Sequence, residues 1–181
     1  PFQARLIADN VNYHSSRWSK WANESNASAV PGAVEFLRAA EAKGVEIFYV
    51  SNRSASLEEA TRRNLEKLDL PMNNSIDTVL LKKEETGWGS DKTPRRERVA
   101  ETHRIIMLFG DNLGDFLSPY RVTTDQRSAL VQRHAERWGR EWFMLPNPLY
   151  GSWEAALFGH DYGRPADERR AARYRNLRTD R

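Results

Sequence analysis

Residues 104–116 read "RIIMLFGDNLGDF". An apolar run, Ile105 to Phe109, passes straight into Gly110 and Asp111, and Asp115 follows four residues later. A short unbroken run rich in Ile, Leu and Phe suits a strand covered on both faces, as in parallel α/β sheets. Gly110 ends the strand and lets another group approach the backbone closely. In open parallel sheets, ligands bind beyond the carboxyl ends of the strands. Asp111 and Asp115 are therefore candidate ligand contacts. Hard carboxylate oxygens at such a tip suit Mg²⁺, which often meets a protein through one or two carboxylates and a phosphate. An Asp that caps a turn gives the same local pattern, so the reading depends on the other strand tips.

Outward from that stretch, helices and strands alternate. "SRWSKWANES" predicts a short helix with Trp18, Trp21 and Ala22 on one face. "PGAVEFLRAAEAKG" predicts another, with Val34 and Leu37 inward and Gly44 as its stop. "VEIFYVS" (45–51) is a predicted strand. "SLEEATRRNLEKL" reads as a helix opened by a Ser56/Glu59 capping box. "TVLLK" (78–82) is a strand, "TPRRERVAETH" a helix, and 104–110 the strand quoted above. "TDQRSALVQRHAERWG" is a helix stopped by Gly139, "EWFML" (141–145) a strand, and "SWEAALF" a short helix after the loop "PNPLYG". This alternation predicts an α/β fold, a parallel sheet joined by right-handed crossovers.

Two further strand tips then carry chemistry. The strand 45–51 ends in Ser51, Asn52 and Arg53, whose hydroxyl, amide and guanidinium suit phosphate. An ordinary Ser-Asn turn would look the same. Lys92 stands just before a predicted helix, where a cation is unfavourable unless an anion is near. A solvated surface Lys is the alternative. With Asp111 and Asp115, phosphate, cation and metal chemistry would meet at one face of the sheet.

Bulk properties narrow the classes. The 181 residues suit a single domain with a sizeable core. No stretch of 18 apolar residues occurs. The absence of Cys excludes a disulfide scaffold, a Cys metal site and a Cys nucleophile. His14, His103, His134 and His160 show no ligand spacing. The net charge of +3 comes from one end: residues 164–181 hold seven Arg against three acids, leaving the rest near −1. That basic C-terminal helix reads as a solvated helix packing through Ala171, Tyr174 and Leu177. No aromatic platform accompanies it, so no nucleic-acid partner is expected.

"VPGAVEFLRAAEAKGVEIFYVSNR", "LLKK", "KTPRR", "LFGDNLGDF" and "LPNPLYGSWEAAL" occur in order over most of residues 18–158. With them the chain resembles the class C nonspecific acid phosphatases of the haloacid dehalogenase superfamily, the lipoprotein acid phosphatase/5'-nucleotidase type. The resemblance implies a Rossmann-like parallel sheet with helices on both faces, a Mg²⁺ cofactor and an aspartyl-phosphate intermediate. It implies phosphate monoesters as substrates, nucleoside monophosphates among them. It assigns Ser51 to the phosphate-binding hydroxyl, with Asn52 and Arg53 beside it, and Lys92 to the catalytic lysine. Asp111 and Asp115 fall to the metal-holding acidic motif. Trp18 and Tyr150 fall to an aromatic clamp for a nucleoside base, core and loop packing being the alternative. Residues 1–30 fall to a helical substrate cap. A cell-envelope location, periplasmic or as an outer-membrane lipoprotein, is also implied, with any lipid anchor upstream of Pro1.

The family's first motif, a central strand ending Asp-x-Asp-Glu-Thr, has no counterpart here, and no Asp-x-Asp pair occurs anywhere in the sequence. In the family the first Asp is the nucleophile and the second the general acid and base. The chain is therefore expected to be a truncated member, inactive and poorly folded by itself. The strands 45–51 and 104–110 should then either flank an empty lane or pair directly. Two other classes remain open at this point: a noncatalytic nucleotide-binding or scaffold protein on the same fold, and a module interacting through its basic tail.

Overall fold

The computed structural model describes residues 2–177. The chain divides between Val99 and Ala100 into two compact units, each with its own two-stranded parallel sheet.

The first unit opens with α1 (Phe2–Ala8) and α2 (Ser15–Asn23), followed by α3 (Ala33–Glu41). Strand β1 (Tyr49–Ser54) pairs in parallel with β2 (Val79–Lys82), and α4 (Glu58–Lys67) is the crossover between them. Helix α5 (Thr93–Ala100) ends the unit. Phe2, Leu6, Trp21, Ala22 and Leu57 form one core, with Trp18 packed against it. Leu80, Trp88 and Val99 form another beneath the sheet. Asn64 of α4 exchanges two hydrogen bonds with the Ala27 backbone, and buried Ser25 donates to the Ala60 carbonyl. These bonds fix the segment after α2 against α4.

The second unit holds β3 (Leu108–Gly110), α6 (Thr124–Arg133), β4 (Trp142–Met144), α7 (Ser152–Ala156) and α8 (Ala166–Arg175). β3 and β4 pair in parallel, with Leu108 opposite Trp142 and Gly110 opposite Met144. The core beside them is Leu113, Phe116, Leu117 and Trp142. A smaller core of Ala155, Phe158 and Ala172 docks α8.

The order of elements agrees with the sequence reading; the boundaries differ for physical reasons. β1 starts at Tyr49 rather than 45, because its ladder begins where Tyr49 N–H reaches the Thr78 carbonyl at 2.7 Å. β3 starts at Leu108 rather than 104, where its N–H reaches the Glu141 carbonyl. The run 105–109 is not covered on both faces as expected. Ile105, Ile106, Met107 and Phe109 are each about 40% exposed, and β3 has one ladder partner. Among the described residues, β1 and β3 are not ladder partners. The expected Ser56/Glu59 capping box does not form: a 3₁₀ turn, Ala55–Leu57, precedes α4. Helix α6 stops at Arg133, six residues before Gly139, since the Trp138 indole turns back to donate to the Val131 carbonyl. Val34 and Leu37 of α3 are half-buried. The expected basic helix at 164–181 is observed over Ala166–Arg175, and positions 178–181 lie outside the described residues. Its packing face is not the expected one: Ala172 is buried against Ala155 and Phe158, Ala171 is half-buried, and Tyr174 and Leu177 are exposed. No helix among the described residues is long and apolar enough to cross a membrane.

Candidate functional site

In the first unit the tip of β1 and the loop before α5 are built as one piece. Ser51 is half-buried, and its hydroxyl oxygen accepts the Arg53 N–H at 3.1 Å. The Asn52 side chain donates to the Ser90 carbonyl at 2.9 Å. Arg95, in the first turn of α5, is fully buried and donates to the Ser51 carbonyl and the Asn52 side-chain oxygen. It also donates to the carbonyls of Gly89 and Asp91. Lys92 follows directly, half-buried, its carbonyl accepting Arg96 N–H in the first turn of the helix. The structure thus brings the Ser51 tip and the loop carrying Lys92 together. Nothing in the sequence marked Arg95, one of three Arg in a polar helix.

Arg53 turns the other way. Its guanidinium lies 5.7 Å from the ring centroids of both Trp18 and Trp21, and donates to the Thr61 hydroxyl. Burial pushes it below its ordinary value. Trp18 itself meets Phe2 edge-on at 5.2 Å and lies tilted against Trp21. It is half-buried and keeps a partly accessible surface beside Arg53.

In the second unit the tip of β3 turns at Gly110. A Cβ on Gly110 would stand 2.3 Å from the Asp115 Cβ and 2.5 Å from its Oδ2, so only Gly lets Asp115 fold back here. Asp115 Oδ2 accepts the Asn112 N–H at 2.9 Å, and the Asn112 side chain accepts from Gly114 N–H, a reciprocal capping box over the 3₁₀ turn Leu113–Asp115. Asp111 is exposed, and its Oδ2 accepts from the Asn147 side chain at 2.9 Å. The Asn147 oxygen in turn accepts the N–H groups of Leu149 and Tyr150. Tyr150 is half exposed, and its carbonyl accepts the Trp153 indole N–H.

Behind this corner Arg127 donates to the Ser152 hydroxyl, which donates to Asn112 Oδ1. Gly151, at φ +144°, leaves room for that contact: a Cβ there would come within 2.5 Å of the Asn112 amide nitrogen. Burial pushes the Arg127 guanidinium below its ordinary value. Asp111, Arg127, Asn147 and Trp153 line a pocket of about 410 Å³. Of the residues lining this pocket, sequence reasoning singled out Asp111 but not Asn147 or Arg127; "LPNPLYG" was the available signal for Asn147.

A second acidic group lies in the first unit. Carboxylate oxygens of Glu58, Asp77 and Glu84 fall within 4.8 Å of one another. Arg62 bonds both Glu58 and Asp77, and the Leu81 N–H donates to Glu84. Burial, then the bond to Asp77 and the charges of Asp77 and Glu58, push Glu84 up to about 7 against the pull of Leu81 N–H. Burial works to raise Asp77, but Val79 N–H, Glu84 and Arg62 outweigh it and hold it below its ordinary value. Arg62 bridges Glu58 of α4 and Asp77, just before β2, and so ties the helix to the strand's start.

A family profile described as haloacid dehalogenase superfamily, subfamily IIIB (acid phosphatase) matches residues 1–153. The chain belongs to that acid phosphatase family. The solved class C acid phosphatase from Bacillus anthracis is 34% identical, with a TM-score of 0.87, over 100% of this chain and 74% of that one. The same enzyme with tungstate bound gives a TM-score of 0.89 at 34% identity, with the same coverage. The stem 28 kDa glycoprotein of Glycine max is 25% identical over 143 residues, 76% of this chain and 49% of that protein. The chain thus spans about half the length of that curated relative. The haloacid dehalogenase-type α/β fold expected from the sequence agrees with these neighbours.

Proposed function

We propose that the protein is a Mg²⁺-dependent acid phosphatase acting on phosphate monoesters, nucleoside monophosphates included, through an aspartyl-phosphate intermediate. The observation that carries this reading is the corner at 110–115, where Asp111 lines a pocket and Asp115 is folded into the cradle left by Gly110. Two carboxylates offering hard oxygens fit Mg²⁺. Asp111 would hold the ion, oriented by Asp115 and by the Asn147 amide. Bound Mg²⁺ would supply charge neutralisation at the phosphoryl oxygens.

The chain's own groups do the rest. The Ser51 hydroxyl and the nearby backbone amides position phosphoryl oxygens, and the Lys92 ammonium adds a fixed positive charge. Such preorganised donors are each worth ~10²–10³ in rate. Asn52 and Arg53 flank that tip, and Arg53 links it to Trp18 through its ring contact. Trp18, with the half-exposed Tyr150, offers faces on which a nucleoside base can stack. Residues 1–30 then serve as cap, and the two compact units as parts of one phosphatase domain. With no Asp-x-Asp pair in the sequence, the attacking carboxylate comes from a segment outside these residues, and the chain by itself is inactive. A cell-envelope location completes the reading and rests on family resemblance.

The test compares the full-length protein with residues 1–181, on p-nitrophenyl phosphate and on nucleoside monophosphates, with Mg²⁺ and with chelator. The reading expects turnover from the full-length protein with Mg²⁺ alone. Mg²⁺-independent turnover, or turnover by the 181 residues, contradicts it.

A further inference from the structure

Arg95 is the most deeply buried cation of the first unit, at 0% exposure. A charge in such a place is costly unless well bonded. Its acceptors are oxygen atoms of two segments far apart in sequence. From β1 come the Ser51 carbonyl at 2.5 Å and Asn52 Oδ1 at 2.7 Å. From the loop come the Gly89 carbonyl at 2.9 Å and the Asp91 carbonyl at 3.2 Å. The Asn52 amide closes the same junction by donating to the Ser90 carbonyl. Asp91, in turn, caps the Thr93 N–H at the start of α5, so Lys92 is held between two fixed points.

We propose that Arg95 is a positioning residue that sets the spacing between the Ser51 tip and Lys92, and so creates the phosphate-binding geometry without touching substrate. The inference rests on the phosphatase reading above and deepens it. The planar fork of a guanidinium spans several acceptors in fixed directions; an ammonium is a compact point donor on a flexible stem. Lysine at 95 keeps the charge but cannot hold both segments in register. A misplacement of about 1 Å at reacting groups costs roughly 10²-fold in rate.

The experiment uses the full-length protein with Arg95→Lys, Arg95→Ala and, as reference, Lys92→Met. Each is measured for thermal unfolding, for kcat and KM on p-nitrophenyl phosphate, for inhibition by inorganic phosphate, and for Mg²⁺ activation. The expected result for Arg95→Lys is a cooperative unfolding transition, kcat/KM down roughly 10²-fold, weaker inhibition by phosphate, and an unchanged Mg²⁺ activation constant. Methylguanidinium should partly restore phosphate affinity to Arg95→Ala. Phosphate inhibition unchanged in Arg95→Lys while Lys92→Met loses it overturns this inference alone. Phosphate inhibition unchanged in Lys92→Met overturns the phosphate-site reading and this inference with it. Failure of both Arg95 variants to fold makes Arg95 a folding residue and overturns the proposal too.

Discussion

The Asn147 side-chain amide donates to the Asp111 carboxylate at 2.9 Å, while its oxygen accepts two N–H groups of the loop carrying Tyr150. One side chain therefore orients the proposed metal ligand and shapes the proposed base-binding loop. Asn147→Leu keeps the volume and removes both sets of bonds. Partners that orient a metal ligand are typically worth 10–100-fold in metal affinity or activity, so Mg²⁺ activation should weaken by roughly 10–100-fold. Titration of activity with Mg²⁺ checks this; an unchanged activation constant would remove Asn147 from the site.

Gly110→Ala should be far more damaging than a surface Gly→Ala. The new methyl would stand 2.3 Å from the Asp115 Cβ, an atom fixed by its backbone rather than the far end of a flexible chain. Overpacking of this kind costs about 1–3 kcal/mol, and relief requires Asp115 to leave its bond with Asn112 N–H. We expect a lowered unfolding midpoint together with lost turnover. Gly89→Ala, where φ is likewise not positive and an added Cβ meets nothing within 4 Å, is the control without the clash.

Trp18→Ala should raise the KM for nucleoside monophosphates more than for a small alkyl phosphate. Base stacking on an aromatic face is worth roughly 1–3 kcal/mol, and a small ester has no base to lose. Trp18 also packs on Phe2 and Trp21, so some stability is lost whatever its role. The ratio of the two KM changes separates the roles: an equal effect on both substrates would leave Trp18 as a packing residue.

The strand tips drew attention because open parallel sheets bind ligands beyond the carboxyl ends of their strands, although an ordinary turn gives the same Gly-Asp or Ser-Asn pattern. Ser51, Lys92, Asp111 and Asp115 could be named on that basis and on the family's motifs. Arg95 could not. "TPRRERV" carries three Arg, and only packing decides that Arg95 is buried while Arg98 is exposed on Glu85. Asn147 was hidden for a related reason: its partner lies 36 residues earlier, across the β3–β4 pair. The Ser56/Glu59 box failed because Leu57 is pulled into the core with Phe2 and Trp21, which tightens the entry to α4 into a 3₁₀ turn. Local sequence carries the capping signal but not the tertiary pull that overrides it.

Stability should favour the acid side, and Glu84 should be the cause. Its folded value of about 7 lies above the ordinary 4.5, so the folded state binds the proton more tightly. That contribution is fully present below about 4.5 and is lost as pH rises through about 7. Asp77 acts oppositely: held below its ordinary 3.8, it contributes above that value and loses its contribution as pH falls through its folded value. Glu84→Gln mimics the protonated carboxyl and should flatten the fall in unfolding midpoint between pH 5 and 8. The same fall in the variant and the parent would assign the pH dependence elsewhere.

The central claim is that Asp111 holds the metal on which phosphate-ester hydrolysis depends. Its most direct test is turnover of p-nitrophenyl phosphate by full-length Asp111→Asn, as a function of Mg²⁺ concentration. Asparagine keeps the shape and leaves an acceptor for Asn147 but removes the negative charge, so the fold should persist. The account predicts that most Mg²⁺-dependent turnover disappears and that what remains needs far more Mg²⁺. Unchanged turnover with an unchanged Mg²⁺ dependence would contradict it.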